Sequence, residues 1–181
     1  MISQKDFKSI YDEYNKLVFN LALSYCQNKD DAQDISQEVF VKLYQKYQQF
    51  NPELSSLKTW VYRLTINQSL DFLKSKKTAK RFGFLVSIFK NESREEEIQI
   101  SDFQHPGIIL ENKEELQILF SHINSLPPNQ KTAIILNKAE NRSQKEVAEI
   151  MQTSIKAVES LITRAKKNMQ KKYPNSEGFK N

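Results

Sequence analysis

Residues 143–167, SQKEVAEIMQTSIKAVESLITRAKK, read as two short helices around a tight turn, and this reading decides the rest of the chain. Ser143 and Glu146 make an S-x-x-E capping box, which satisfies the first orphan amide donors of a helix where the apolar pattern begins. Val147, Ala148 and Met151 then fall on one face, and Ala148 is small enough to admit a crossing helix. Ile155, Val158, Leu161 or Ile162, Ala165 and Met169 carry on at spacings of three and four, the period of a second helical face. The break lies at Gln152–Ser154, where Thr153 or Ser154 can cap the second helix.

This spacing is that of a DNA-reading helix-turn-helix, whose second helix enters the major groove. Lys156, Ser160, Thr163 and Lys167 form one polar stripe on that helix, flanked by Ser154, Glu159 and Arg164. The competing reading is a helical hairpin with a solvated basic face. Gln152 departs from the usual pattern, because the turn often needs positive φ and so favours glycine.

The 181 residues contain only three glycines and five prolines, and the long periodic stretches between them predict an all-α chain. Net charge is +5, unevenly spread. Residues 1–81 hold 13 basic and 9 acidic side chains, residues 82–108 hold 2 and 5, and residues 109–181 hold 12 and 8. Two basic blocks therefore flank an acidic connector, an arrangement suited to two nucleic-acid-facing domains. Cys26 is the only cysteine, which excludes an intramolecular disulfide and a CxxC metal site and points to a reduced, cytoplasmic setting. Neither a signal peptide nor a membrane span is expected, since FGFLVSIF (82–89) is far short of the about twenty residues a span needs.

Along the chain, Ser3 and Asp6 open a first helix. Phe7, Ile10, Tyr11, Tyr14, Leu17, Val18, Leu21 and Tyr25 are its expected core face, and it ends near Asn28. A second helix starts near Asp30, with Asp30, Asp31 and Asp34 where the helix dipole favours negative charge. Ala32, Ile35, Val39, Leu43 and Tyr47 are its inward face, widened by Phe40. Gln37, Glu38 and Lys42 lie away from it. Asn51-Pro52 turns the chain. A third helix begins at Ser55 or Ser56, with Leu57, Trp60, Val61, Leu64, Ile66, Leu70 and Leu73 inward and Arg63, Asn67, Asp71 and Lys74 as a polar stripe. KSKKTAKR (74–81) then places five positive charges in eight positions, a block that attracts phosphate.

Residues 82–108 lack a sustained period and read as a linker. His105 and His122 have no partners at ligand spacing, so loop and helix-surface positions are expected for them. Leu116, Leu119, Phe120, Ile123 and Leu126 mark a further helix. Pro127-Pro128 ends it and begins the next, which Ala133, Ile134, Leu136 and Ala139 carry to the capping box. The expected architecture is thus two small helical domains joined by an acidic linker. An N-terminal bundle (1–81) and a four-helix C-terminal domain (109–174) flank the linker (82–108), and a tail follows (175–181). With no Gly-rich phosphate loop, no H-E-x-x-H and no nucleophile beside a base, neither an enzyme nor a cofactor is indicated.

Four segments together resemble an alternative RNA polymerase sigma factor of the extracytoplasmic-function (ECF) type: DDAQDISQEVFVKLY (30–44), TWVYRLTINQSLDFLK (59–74), LPPNQKTAIIL (126–136) and the helix-turn-helix at 143–167. The resemblance covers nearly the whole chain. It implies core RNA polymerase and promoter DNA as partners, with an anti-sigma factor typical of the family. The N-terminal domain would dock on the polymerase through Asp31, Asp34, Gln37 and Glu38 and capture the melted minus-ten element. The loop 50–58 and the start of the third helix would hold an unstacked base, for which aromatic and amide groups are suited. Trp60, Tyr62, Arg63, Asn67, Lys74, Lys76, Lys77, Lys80 and Arg81 would contact the strand. The C-terminal domain would read the minus-thirty-five element as duplex through Ser154, Lys156, Ser160 and Thr163, with Arg142, Arg164, Lys166 and Lys167 toward the backbone. Glu159 and Leu161 replace basic residues common in the family, and Lys74 stands for a usual arginine, which loses bidentate geometry. An autonomous helix-turn-helix regulator is the alternative, and it leaves the face at 60–81 without a role. A helical adaptor would bind DNA only weakly and without regard to sequence.

Overall fold

The structure is a computed structural model that describes residues 2–90 and 113–172, with side chains described for 2–79 and 118–171. Among these residues every regular element is helical. The N-terminal half is a three-helix bundle of α1 (Gln4–Cys26), α2 (Lys29–Lys46) and α3 (Leu57–Lys90), with a 3₁₀ turn at Tyr47–Gln49. The Ser3 hydroxyl accepts from the Asp6 amide, and Asn28 does the same for Asp31 at the start of α2. Between those helices Gln27 takes the left-handed conformation (φ 57°) and closes α1 by donating its amide to the Leu23 carbonyl. The Ser56 side chain caps α3, accepting from the Thr59 amide at 3.1 Å.

Val18, Leu21, Ile35, Val39, Leu43 and Val61 close the bundle core with essentially no exposure. Each such burial stabilises by about 1.5–3 kcal/mol relative to exposure. The periodicity placed these residues correctly but also assigned Tyr11 inward, and that residue is 46% exposed. Its ring lies at the rim of the stripe, 4.7 Å from Phe40. The backbone of α3 stays helical to Lys90, nine residues past the point where the sequence suggested a linker. Most of that expected linker, with His105 and the tail, lies outside the described residues.

The C-terminal half contains α4 (Lys113–Asn124), α5 (Pro128–Ile134), α6 (Gln144–Ile150) and α7 (Ile155–Lys172). Pro128 occupies the first turn of α5. That helix widens into a π segment at Ile135–Ala139, which ends as the Glu140 amide bonds the Ile135 carbonyl. The capping box is complete: Ser143 Oγ accepts from the Glu146 amide, and the Glu146 carboxylate accepts from the Ser143 amide at 2.8 Å. His122, expected at a surface, is fully buried. Phe120, His122 and Ile123 of α4 are all buried, and a polar side chain conceals such a placement from a hydrophobic pattern.

The turn between α6 and α7 runs through Gln152 at φ 53°, the left-handed geometry that would suit glycine. A side chain there costs about 1–2 kcal/mol of steric strain. Gln152→Gly is therefore expected to stabilise the protein by about 1 kcal/mol net, read as a higher thermal midpoint.

Candidate nucleic-acid and polymerase interfaces

The reader helix is held from beneath. Val158, Ile162, Ala165 and Met169 of α7 are buried, while Lys156, Thr163, Arg164 and Lys167 are exposed and Ser160 is half-buried. The two series share the spacing four, three, four and are offset by two residues, which puts them on opposite sides of the helix. Ser154 is the N-cap, its Oγ accepting from the Ala157 amide at 3.2 Å. Ile155, expected inward, is exposed. Arg142 is tied into the capping box. It donates to the Glu140 carbonyl at 2.8 Å and to Glu146 at 3.1 Å. The bonds from Ser143, reinforced by Arg142, hold the Glu146 carboxyl below its ordinary range.

On the N-terminal half, Asn67, Lys74 and Lys77 are exposed along α3. Lys76 instead bonds Asp31 of α2 at 2.5 Å and lies over the Phe72 ring. Trp60 is half-buried and packs 5.3 Å from Phe50, which itself sits 6.2 Å from Tyr47. These three rings line the loop where α2 turns into α3. Tyr62, named from the sequence as an aromatic open to a strand, is only 3% exposed. Its hydroxyl reaches the Glu140 carboxylate at 3.5 Å. Arg63 is also engaged, its Nε donating to the Ile150 carbonyl at 3.1 Å and its guanidinium to the Glu149 carbonyl at 2.8 Å. The side chains of Lys80 and Arg81 lie outside the described residues.

Of the residues expected to face the polymerase, Asp34, Gln37 and Glu38 are exposed on α2 and Asp31 is the half-buried partner of Lys76. Gln37 borders a groove between α1 and α2 lined by Phe7, Tyr11, Phe40, Val41 and Tyr44. Val41 and Tyr44 are exposed by 48% and 42%. The sequence reading missed this apolar component. Its trace was there in Gln37, Val41 and Tyr44 at spacings of four and three, off the core stripe. Lys42, between these faces, donates to Gln68 of α3.

The two halves meet at a buried polar junction that periodicity does not reveal. Lys131 of α5 is 5% exposed, yet its ammonium donates to the Tyr25 carbonyl at 3.0 Å and to Asn124 Oδ1 at 2.5 Å. The Tyr25 hydroxyl donates to Thr132 Oγ1 at 2.7 Å, and Gln27 donates to the Phe120 carbonyl at 3.3 Å. Thr59 donates to the Glu149 carboxylate at 2.9 Å. Burial pushes the Lys131 ammonium down to about 8, the Cys26 thiol up to about 11 and the Glu140 carboxyl above its ordinary range. Among the described residues there is neither a cluster of side chains able to hold a metal ion nor a helix long and apolar enough to cross a membrane.

Residues 10–79 match the family described as Sigma-70 region 2, and residues 116–169 match Sigma-70, region 4. The class is therefore that of the sigma-70 transcription initiation factors. The ECF RNA polymerase sigma-E factor of Haemophilus influenzae is 30% identical over 171 residues, covering 87% of this chain and 88% of that protein. The Escherichia coli factor of the same description is 28% identical over 169 residues, covering 93% and 87%. The chain belongs to the ECF RNA polymerase sigma factors and is an alternative sigma factor that directs transcription initiation. Two solved structures share its fold. CnrH in complex with the cytosolic domain of CnrY has a TM-score of 0.63 at 20% identity, covering 93% of this chain and 88% of its own. The sigma factor RpoE in complex with the anti-sigma factor NepR from Bartonella quintana has a TM-score of 0.59 at 24% identity, covering 92% and 96%.

Lys131 gives the folded protein a pH dependence of definite sign. The folded group loses its proton near pH 8, whereas the unfolded chain keeps it to the ordinary lysine value of 10.5. Between these limits the unfolded state binds more protons, so this group's contribution rises with pH and is lost as pH falls through 8. From pH 8 to 9 the gain is about 1 kcal/mol. Lys131→Met should abolish that difference in denaturant titrations at the two pH values.

Proposed function

We propose that the chain recruits core RNA polymerase to promoters by a division of labour between its halves. The C-terminal domain (109–174) reads the minus-thirty-five element as duplex. Lys156, Ser160 and Thr163 face base edges and adjacent phosphates. Arg164, Lys167 and the cap residues Arg142 and Ser154 position the DNA backbone. The N-terminal domain (1–81) captures the minus-ten element as melted strand, with the acidic segment 82–108 between them. Trp60 with Phe50 supplies the stacking surface, Asn67 an amide, and Arg63, Lys74, Lys76, Lys77, Lys80 and Arg81 the phosphate contacts. Tyr62 and Arg63 become available to the strand only when the C-terminal half moves away. Asp34, Gln37 and Glu38, beside the aromatic groove of α1 and α2, form the polymerase-docking face, with Asp31 at its edge.

The observation that carries this reading is the exposed stripe of α7, opposite the buried face that fixes the helix on its domain. Working with core polymerase places the protein in the cytoplasm, where it contributes binding and no catalysis of its own. An anti-sigma partner is part of the proposal, since the Bartonella quintana relative is seen with one.

Replacing Lys156→Ala together with Ser160→Ala should lower transcription from a promoter with an intact upstream element by about 10- to 100-fold, the range of one or two lost base contacts. Core polymerase binding, measured by co-purification, should be unchanged. Loss of core binding in this variant would show that the domain roles are assigned wrongly.

A further inference from the structure

Between Glu140 and Lys172 the chain carries four acidic side chains, and three of them are engaged. Glu140 accepts from the Tyr62 hydroxyl, Glu146 closes the capping box and Glu149 accepts from Thr59. The fourth, Glu159, is exposed on α7, and among the described residues it has neither an ion pair nor a hydrogen bond. It is the single acid of a helix that carries six basic residues. Lys156, three residues earlier, is within reach for intrahelical pairing, and no such pair forms among the described residues.

Glu159 stands three residues after Lys156 and four before Thr163, so it borders the exposed stripe on the edge those two share. It belongs to the second turn of α7, and the N-terminal part of a recognition helix is the part that meets base edges. A carboxylate brought there is repelled by phosphates, gives up its water and can only accept hydrogen bonds. The major groove offers it two donors, the N4 amino group of cytosine and the N6 amino group of adenine. They are not equivalent. In an A·T pair the amino group lies between two acceptors, adenine N7 and thymine O4, which repel a carboxylate from both sides. In a G·C pair the cytosine amino group lies at the end of the row, with acceptors on one side only.

We propose that Glu159 is a specificity-determining residue for the upstream duplex element, selecting cytosine at one position by accepting from its N4 amino group and rejecting guanine and thymine, which offer it no donor. The proposal rests on the assignment of α7 as the duplex reader. The basic residues of the same helix supply the attraction that carries the carboxylate into the groove. Its charge therefore weakens binding to every sequence, and the loss is recovered only where cytosine stands.

The test is a selection by the assembled holoenzyme. The full-length chain with bacterial core polymerase is given a duplex promoter library randomised across the upstream element, and the bound molecules are sequenced. The wild type should favour cytosine over guanine at one position by about tenfold or more. Glu159→Ala should flatten that position and leave the preferences at the others. Glu159→Gln should move it to adenine, whose N6 and N7 an amide can pair bidentately. Both variants should keep the wild-type thermal midpoint, since Glu159 has no partner among the described residues. If Glu159→Ala binds every sequence more tightly by one common factor, with the selected bases unchanged, the residue is a general repulsive charge and the proposal is overturned. Unchanged preferences without that gain would overturn it as well. Lys156→Ala with Ser160→Ala separates this proposal from the reading beneath it. Loss of upstream preferences in that variant, with all of them kept in Glu159→Ala, would mean that α7 reads the duplex without Glu159. A wild type with no upstream preference would overturn both.

Discussion

Two helix ends, each capped by a cation from the opposite half, are the constraint on which this structure turns. The Tyr25 and Ile150 carbonyls, in the last turns of α1 and α6, face the junction between the halves, where unpaired polar groups are costly. An arginine and a lysine supply the donors, and the helix dipoles favour positive charge there. Lys131 shows the strain of the solution. Its ammonium is driven toward neutrality by burial, yet it is kept in place by the Tyr25 carbonyl and Asn124. Arg63 is the less costly partner, since a guanidinium is more weakly hydrated and presents several donors in a fixed fork.

The α7 stripe and the α1–α2 groove both face outward, whereas Tyr62 and Arg63 near the start of α3 are turned into the junction. The capping box, the Arg142 bonds and the Ser154 cap all fix the geometry of the helix-turn-helix, whereas Tyr62 and Arg63 are held by contacts between the halves.

The fold was legible where side-chain chemistry and periodicity agree. The capping box at Ser143 and Glu146, the Asn51-Pro52 turn and the stripe Val158, Ile162, Ala165, Met169 could each be read from spacing, and so could the family. The exposure of the α7 stripe followed directly, because an exposed face is the complement of a buried one. Some of what the pattern left out involves residues whose placement is decided by the other half of the chain. Tyr62 and Arg63 carry the pattern of a strand-binding face, and only the packed structure shows them engaged. Lys131 and His122 are polar, and so invisible to a pattern that equates burial with hydrophobicity. Tyr11 is aromatic and yet exposed, the reverse error. Ile155 was misplaced because the helical period was extended into the exposed first residue of α7.

The most direct test of the account is reconstitution of the purified protein with bacterial core RNA polymerase on a promoter library, with start sites mapped in the presence and absence of the protein. The account predicts a stable complex and new start sites that share an upstream duplex element and a downstream melted element at a fixed spacing. Dimeric binding to paired duplex sites, with no association with the polymerase and no new start sites, would contradict it.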